Sequence, residues 1–454
     1  MECLVNAINQ VMHPTNNGVG LNPDELIMKQ SFLSCLLVLL GTILGFSNST
    51  VASVQFKTQE VAQNEYSTKK LYNLWLSSTQ DSASIPDFML SLPEQHIIES
   101  IKNDNKNVMV TYFSLGSVET DYFMLSGGPD FYGLRFKQLG NTNLYFCTQK
   151  IPNDAMFIYG INEFKFSGKG LEQGVVKTSM EHVYDGAVIA PNAKLSPYVK
   201  AISSVLAGKL IDVNLSSKYM NENRKVSLYL PANYQVDLHH NLVILFDGRN
   251  YSATADAGEL WKGWTPTPTI LDNLIAEKEI EPTIALMVWN QGNRSDDLIN
   301  DNMADFIALE LIPWARRLYK IHPNPAKVIV SGSSRGGFAA ANAALKYSNL
   351  IGGVLSQSGS FYYTMQEEQN WPIYPEFEGK LIIDYKKSPK LPIRFYLSVG
   401  LYDLGIGRVG ANRQLKDILE LKGYDVEHRE YNGGHSHVNW RHDLSKGLIY
   451  LLGK

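Results

Sequence analysis

Apolar and polar positions follow two rhythms along this chain. Between Lys106 and Phe166 they alternate over short runs, at Val108–Phe113, Tyr122–Leu125, Gly133–Phe136, Leu144–Thr148 and Phe157–Phe166. Turn-forming residues separate these runs at Gly127–Asp130, Gly140–Asn143 and Pro152–Asp154. Successive side chains of a strand face opposite ways, so evenly spaced runs of this kind predict a β-sandwich. From Leu210 the rhythm changes. Leu210–Leu215 and Lys225–Leu230 predict two adjacent antiparallel strands, the second ended by Pro231. Unbroken apolar runs follow at Leu242–Phe246, Thr283–Trp289, Val328–Val330, Gly353–Ser356 and Ile393–Val399, with a last short strand near Val426–Tyr431. Between them lie segments of helical period, Ile270–Lys278, Met303–Tyr319, Phe338–Tyr347 and Asn412–Lys422. Strands apolar on both faces belong inside a mostly parallel, doubly wound sheet covered by helices.

The expected organisation is therefore a β-rich, sandwich-like domain over residues 53–180 and an α/β domain over 208–454. Residues 57–105 read as mixed and partly helical. Residues 181–207, aperiodic and carrying Pro191 and Pro197, read as a linker.

Composition changes this picture little. With 19% charged residues, a net charge of −4 and a pI near 6.2, nothing points to nucleic acid. The start of the chain adds more. A basic Lys29, an apolar run from Phe32 to Phe46 and a small-x-small end at Thr50–Ala52 predict a secretory signal peptide, so residues 1–52 read as an upstream segment and signal. The expected location is outside the cytoplasm, periplasmic or secreted, with membrane contact only in transit; an uncleaved anchor is the alternative. Cys3, Cys35 and Cys147 fit no metal or redox spacing, and the pair His435 and His437 lacks a third ligand. No metal or cofactor is expected.

The chemistry is concentrated around Gly332-Ser333-Ser334-Arg335-Gly336, set between the Val328–Val330 strand and an Ala-rich helix. That context is what a nucleophile elbow requires, because glycines on either side let the serine sit on a very tight turn. A serine hydroxyl needs a base, and the base an orienting group. Asp403 follows the Ile393–Val399 strand and His435 follows the last short one, the serine–acid–histidine order of an α/β-hydrolase. His437 and His442 are rivals for the base; the flanking Gly433 and Gly434 favour His435. A turn-capping role is the plainer reading of Asp403. The oxyanion donors should be the backbone amides of Arg335 and Gly248.

These residues carry a resemblance. Gly332–Gly337, Leu355–Phe361, Phe246–Gly248, and Gly433–His435 with Trp440 and Arg441 look like the enterochelin (ferric enterobactin) esterase family within the esterase-D-like α/β-hydrolases. Arg294-x-x-Asp297-Leu298 with Asn302 and Phe306 resembles a further segment, with Asp297 where that family has Glu. The likeness is good over about 208–454 and looser over 106–166. It implies Ser334 as nucleophile, His435 as base and Arg294 as a pocket residue; family members differ in whether an acid completes the set. Arg249, Asn250 and Trp440 are further substrate-binding candidates, with Trp261, Trp264, Phe361, Tyr362 and Tyr363 as walls. For Arg294 the plainer alternative is a surface pair with Asp297 or Asp301. The function expected is hydrolysis, through an acyl-enzyme, of a small-molecule ester such as a ferric siderophore or another catecholate or aryl ester. A general carboxylesterase or acyltransferase is the alternative, as is a non-catalytic carbohydrate- or surface-binding protein.

Overall fold

The computed structural model describes residues 68–80, 84–130, 133–165, 185–254, 264–364, 378–403 and 406–453. The expected signal segment and Trp261 lie outside them. The described residues within 81–454 form one compact unit; those before it, including the helix Lys69–Gln80, belong to another. Among the described residues no helix is long and apolar enough to cross a membrane.

The carboxyl-terminal part is built on eight strands: β9 (Lys209–Ser217), β10 (Glu222–Leu230), β11 (Asn241–Leu245), β12 (Thr283–Val288), β13 (Val328–Ser333), β14 (Gly353–Gln357), β15 (Arg394–Gly400) and β16 (Asp425–Tyr431). Their order is β16-β15-β14-β13-β11-β12-β10-β9. β10 is antiparallel to both neighbours and every other pair is parallel. The pattern of the inner strands explains the layers. Leu242 and Ile244 of β11 enter one core with Ile284, Val330 and Val354, while Val243 and Leu245 enter the opposite core with Met287, Ile329 and Leu355. Such strands must be apolar at every position, because helices cover both faces.

Upstream lie β1 (His96–Ile101), β2 (Asp104–Leu115), β3 (Thr120–Ser126), β4 (Leu134–Arg135), β5 (Lys137–Gln138), β6 (Leu144–Pro152), β7 (Met156–Lys165) and β8 (Gly186–Ile189). They form two four-stranded antiparallel sheets, β1-β2-β6-β5 and β4-β3-β7-β8. Val110, Tyr112 and Ile151 from one sheet and Phe123, Phe157 and Tyr159 from the other share a single core.

Several elements differ from the sequence reading. The run Gly133–Phe136 is not one strand: β4 and β5 are two-residue pieces that pair in different sheets, the chain crossing over at Phe136. β8, within the stretch expected as linker, pairs with β7, and β1 was not expected as a strand. β1 is partly buried along most of its length, so it lacks the alternation that marks a strand. The long helix His437–Leu452 also escaped the periodic reading. It buries His437, Asn439, Arg441, Asp443 and Ser445 beside its leucines, so no apolar stripe stands out. In the expected Met303–Tyr319 helix, residues Phe306–Leu311 widen into π turns just before Pro313, which falls in the first turn of the segment Ile312–Leu318. A proline has no N–H to donate and crowds the carbonyl four residues back, so a local change of helical pitch is the natural accommodation.

Candidate active site

β13 ends at Ser333 and the helix Arg335–Lys346 begins two residues later, so Ser334 alone makes the turn. Its φ of 59° and ψ of −122° lie where side-chain-bearing residues seldom go, at a cost on the order of 1–3 kcal/mol. The surroundings enforce it. A Cβ on Gly332 would lie 2.6 Å from the Gly336 carbonyl carbon, and one on Gly337 only 2.3 Å from Ser356 Oγ. Strand and helix thus approach closer than side chains permit at Gly332, where the neighbour is backbone; Gly337, outside the five-residue pattern, is crowded by the Ser356 hydroxyl and by Gly359 Cα at 3.1 Å. The Ser334 N–H donates to Gln357 O (2.9 Å), and its carbonyl accepts from Gly337 N–H (3.0 Å).

Asp403 and His435 leave the carboxyl ends of β15 and β16. His435 Nδ1 donates to Asp403 Oδ1 at 2.8 Å. Asp403 is fully buried. Burial opposes its charge, but His435 and Arg408 outweigh that and hold its carboxyl below the ordinary 3.8. With the acid ionised, Nδ1 carries the proton and Nε2 is free to accept one. Burial, the leading influence, lowers the pKa of His435 from 6.5; Asp403 raises it and Arg408 lowers it. The rival histidines are otherwise engaged. His437 Nδ1 lies 2.8 Å from Thr265 Oγ1, and burial pushes its pKa down to about 3. His442 accepts from Ser196 N–H at 3.0 Å. Among the described residues no cluster of three or more His, Cys, Asp or Glu side chains is placed to hold a metal ion.

Arg408 is the residue that the sequence reading missed. Its side chain is wholly buried, and its Nε lies 3.0 Å from Asp403 Oδ1. Nη1 donates to Ser358 O (3.0 Å) and Ser360 Oγ (2.9 Å) and lies 3.5 Å from Ser334 Oγ. Nη2 donates to Tyr362 OH at 3.0 Å. One guanidinium therefore ties the serine, the acid and the loop after β14 together. A signal was present: Arg408 and Asn412 stand on the same helical stripe as the buried Ala411, Leu415 and Leu419, and a charge on an apolar stripe needs a buried partner.

The other candidates gather around Asp247, which follows β11. Asp247 adopts a left-handed conformation (φ 56°, ψ 47°) and starts the short helix Gly248–Tyr251. A Cβ on Gly248 would lie 2.5 Å from Met287 O, so this turn is pressed against β12. Arg294 pairs neither with Asp297 nor with Asp301. Its Nε and Nη2 grip Asp247 Oδ1 (2.5 Å) and Oδ2 (2.7 Å). Asp297 instead accepts from the buried Arg224, at 2.6 and 3.2 Å. Arg249 is exposed on the rim, its guanidinium 5.9 Å from the Trp264 ring centre. The Asn250 carbonyl accepts from Thr265 N–H at 2.9 Å. Trp440 is nearly enclosed, donating to Ser358 Oγ at 3.1 Å, with its ring edge-on to both His435 and His437. It walls the imidazoles and is not a surface on which a substrate could lie. The Arg335 amide stands at the amino end of its helix, where unpaired N–H groups favour negative charge.

A sheet of this order, with a serine on the elbow after its fifth strand and an acid and a histidine after its seventh and eighth, defines an α/β-hydrolase-like protein. The family model Esterase, described as "Putative esterase", matches residues 217–451, a little over half of the chain, and the chain belongs to that family. It is 28% identical over 257 residues to the iron(III) enterobactin esterase of Dickeya dadantii (strain 3937), covering 54% of this chain and 55% of that protein. It is 25% identical over 243 residues to the iron(III) enterobactin esterase of Escherichia coli (strain K12), covering 52% and 55%. The chain thus spans about half the length of the curated relatives it matches. The crystal structure of ferric enterobactin esterase from Salmonella typhimurium shares the fold, with a TM-score of 0.64 at 18% identity over 81% of this chain and 98% of that one.

Proposed function

We propose that this protein is a serine esterase that hydrolyses a siderophore ester or a related catecholate or aryl ester through an acyl-enzyme. The observation that carries the reading is Ser334 on its strained elbow, linked through Arg408 to the Asp403–His435 pair. In this reading Ser334 Oγ attacks the ester carbonyl and passes its proton to His435 Nε2. The Arg335 and Gly248 amides receive the oxyanion. The imidazolium then protonates the departing alcohol, and water, activated by the same base, releases the acid. Similarity to iron(III) enterobactin esterases supports the siderophore-type substrate.

One observation favours a second reading, an esterase for neutral esters. The charge of Arg294, expected to face an anionic catecholate, is already matched by Asp247. Labelling with a fluorophosphonate tests the serine. The wild type should be labelled and Ser334→Ala should not, with hydrolysis falling about 10⁴-fold or more. Mass spectrometry of products from ferric siderophores and simple aryl esters separates the two substrate readings. Equal labelling of Ser334→Ala would reject both. We also propose that the protein works outside the cytoplasm, which amino-terminal sequencing of the native protein checks: a mature start near Ser53 is expected.

A further inference from the structure

Asp403 Oδ1 faces two groups at once, the neutral imidazole of His435 (Nδ1 at 2.8 Å) and the permanent cation of Arg408 (Nε at 3.0 Å). Arg408 cannot swing away, because its other nitrogens are held by Ser358 O, Ser360 Oγ and Tyr362 OH and the whole side chain is buried. The sharing is built into the site.

We propose that Arg408 is a positioning residue that fixes Asp403 against His435 and also dilutes its negative charge, so that His435 stays unprotonated, and the serine activatable, in mildly acidic water. The reasoning is electrostatic. A full carboxylate at hydrogen-bond distance stabilises an imidazolium and raises the pH at which the base is lost. A permanent cation on the same oxygen cancels part of that pull. It also opposes any second positive charge nearby.

The other charged or titratable groups around the pair do not substitute for it. Arg294, on the helix after β12, acts on His435 from a distance but spends its contacts on Asp247. His437, on the following helix, is kept neutral by burial, and Tyr431 of β16 is buried and stays protonated. Arg408 alone among these is shown touching the oxygen that His435 uses. The same contacts give it a mechanical part, since it braces the Ser358–Tyr362 loop directly behind Ser334.

This inference rests on the serine esterase reading, and the test separates the two. The acid limb of kcat/KM would be followed on p-nitrophenyl butyrate for the wild type, Arg408→Gln and Arg408→Lys, with Ser334→Ala as control. The wild-type limb should lie below pH 6.5, the ordinary histidine value. Arg408→Gln should move it up by about one pH unit, the scale of a neighbouring-charge effect. Arg408→Lys, which keeps the charge but loses the fork, should leave the limb in place while lowering kcat. A limb that stays put in Arg408→Gln while the rate falls would make the arginine merely structural and overturn the proposal. Should Arg408→Gln fail to fold, NMR titration of His435 in the wild type and in Asp403→Asn, assigned with His435→Gln, decides the matter. A midpoint that falls by less than about one unit in Asp403→Asn supports a diluted carboxylate, and a larger fall overturns it. An active, labelled Ser334→Ala would bring down the underlying reading instead.

Discussion

Replacing Arg294 by alanine separates what the sequence led one to expect from what the structure implies. On sequence grounds Arg294 faces the substrate, and its loss should hurt an anionic ester while sparing a neutral one. In the structure both of its contacting nitrogens are on Asp247, whose only other hydrogen-bonding side chain among the described residues is Asn290, at 2.5 Å from Oδ1. Asp247 is 4% exposed and holds the left-handed turn that delivers the Gly248 amide. Stranding a buried charge costs about 3–5 kcal/mol. Arg294 itself is 39% exposed, so water would reach the carboxylate and the expected loss shrinks to about 1.5–3 kcal/mol. The catalytic cost is separate. If the turn relaxes and moves the Gly248 N–H proposed to receive the oxyanion, kcat should fall about 10²–10³-fold. The oxyanion forms on every ester, so p-nitrophenyl butyrate and a catecholate ester should suffer alike. Steady-state kinetics on both, with urea midpoints for Arg294→Ala and Arg294→Lys, make the comparison. A neutral-ester rate and midpoint matching the wild type would refute the clamp and return Arg294 to the substrate.

Two further outcomes follow from buried polar groups. Burial holds His437 at about 3, and His96 and His442 at about 4, against 6.5. The unfolded chain therefore takes up these protons first, so the stability they contribute is full above pH 6.5 and is lost as pH falls towards 4. Each should subtract roughly 1.4 kcal/mol per unit in that window; urea midpoints that do not change between pH 6.5 and 4.5 would contradict this. Asn439→Ala should remove the side chain that accepts from Gly434 N–H (3.1 Å) and donates to Met156 O (2.7 Å). Leaving those buried groups unpaired should lower stability by about 2–4 kcal/mol, and kcat should fall with it. An active, equally stable variant would show that the His435 turn needs no such brace.

The sheet was legible because its signal is local. A strand buried on both faces must be apolar throughout, and β11 to β15 each announce themselves. The elbow was legible for the same reason, since its glycines answer to contacts within a few residues. What escaped was decided by contacts far apart in sequence. Nothing near Arg408 says that Ser334, Ser358 and Ser360 will be its partners, and nothing near Arg294 says that Asp247 will reach it before any substrate does. The helix His437–Leu452 was hidden because its buried face is polar where it borders the site: Gln357 Nε2 donates to Trp440 O, and Tyr396 OH to Asp443. A functional site thus erases the apolar periodicity by which a helix is recognised.

The β-rich stretch shows no chemistry in its sequence, and its value to the site is mechanical. β16 is the edge strand of the large sheet and leads directly into the His435 turn, so on one side it has no neighbouring strand to pair with. The start of β7 lies beside the chain just past the end of β16, at Asn432 and Gly433. Met156 N–H donates to Asn432 O at 2.8 Å, Met156 bridges to Gly433, and Asn432 Nδ2 donates to Asp154 Oδ1 at 2.7 Å. Phe157 meets Tyr402 edge-on, one residue before Asp403, and Met156, Ile158 and Ala187 close over Val438. Acid and histidine are thus both held from the side where the sheet ends. The Ser334 elbow needs no such help, because its anchors, Gln357 O and Gly337 N–H, lie inside the large sheet and its own helix. Ser334 and His435 therefore depend on different parts of the chain, and the upstream sheets belong to the half of the site that, in the proposed mechanism, carries the proton.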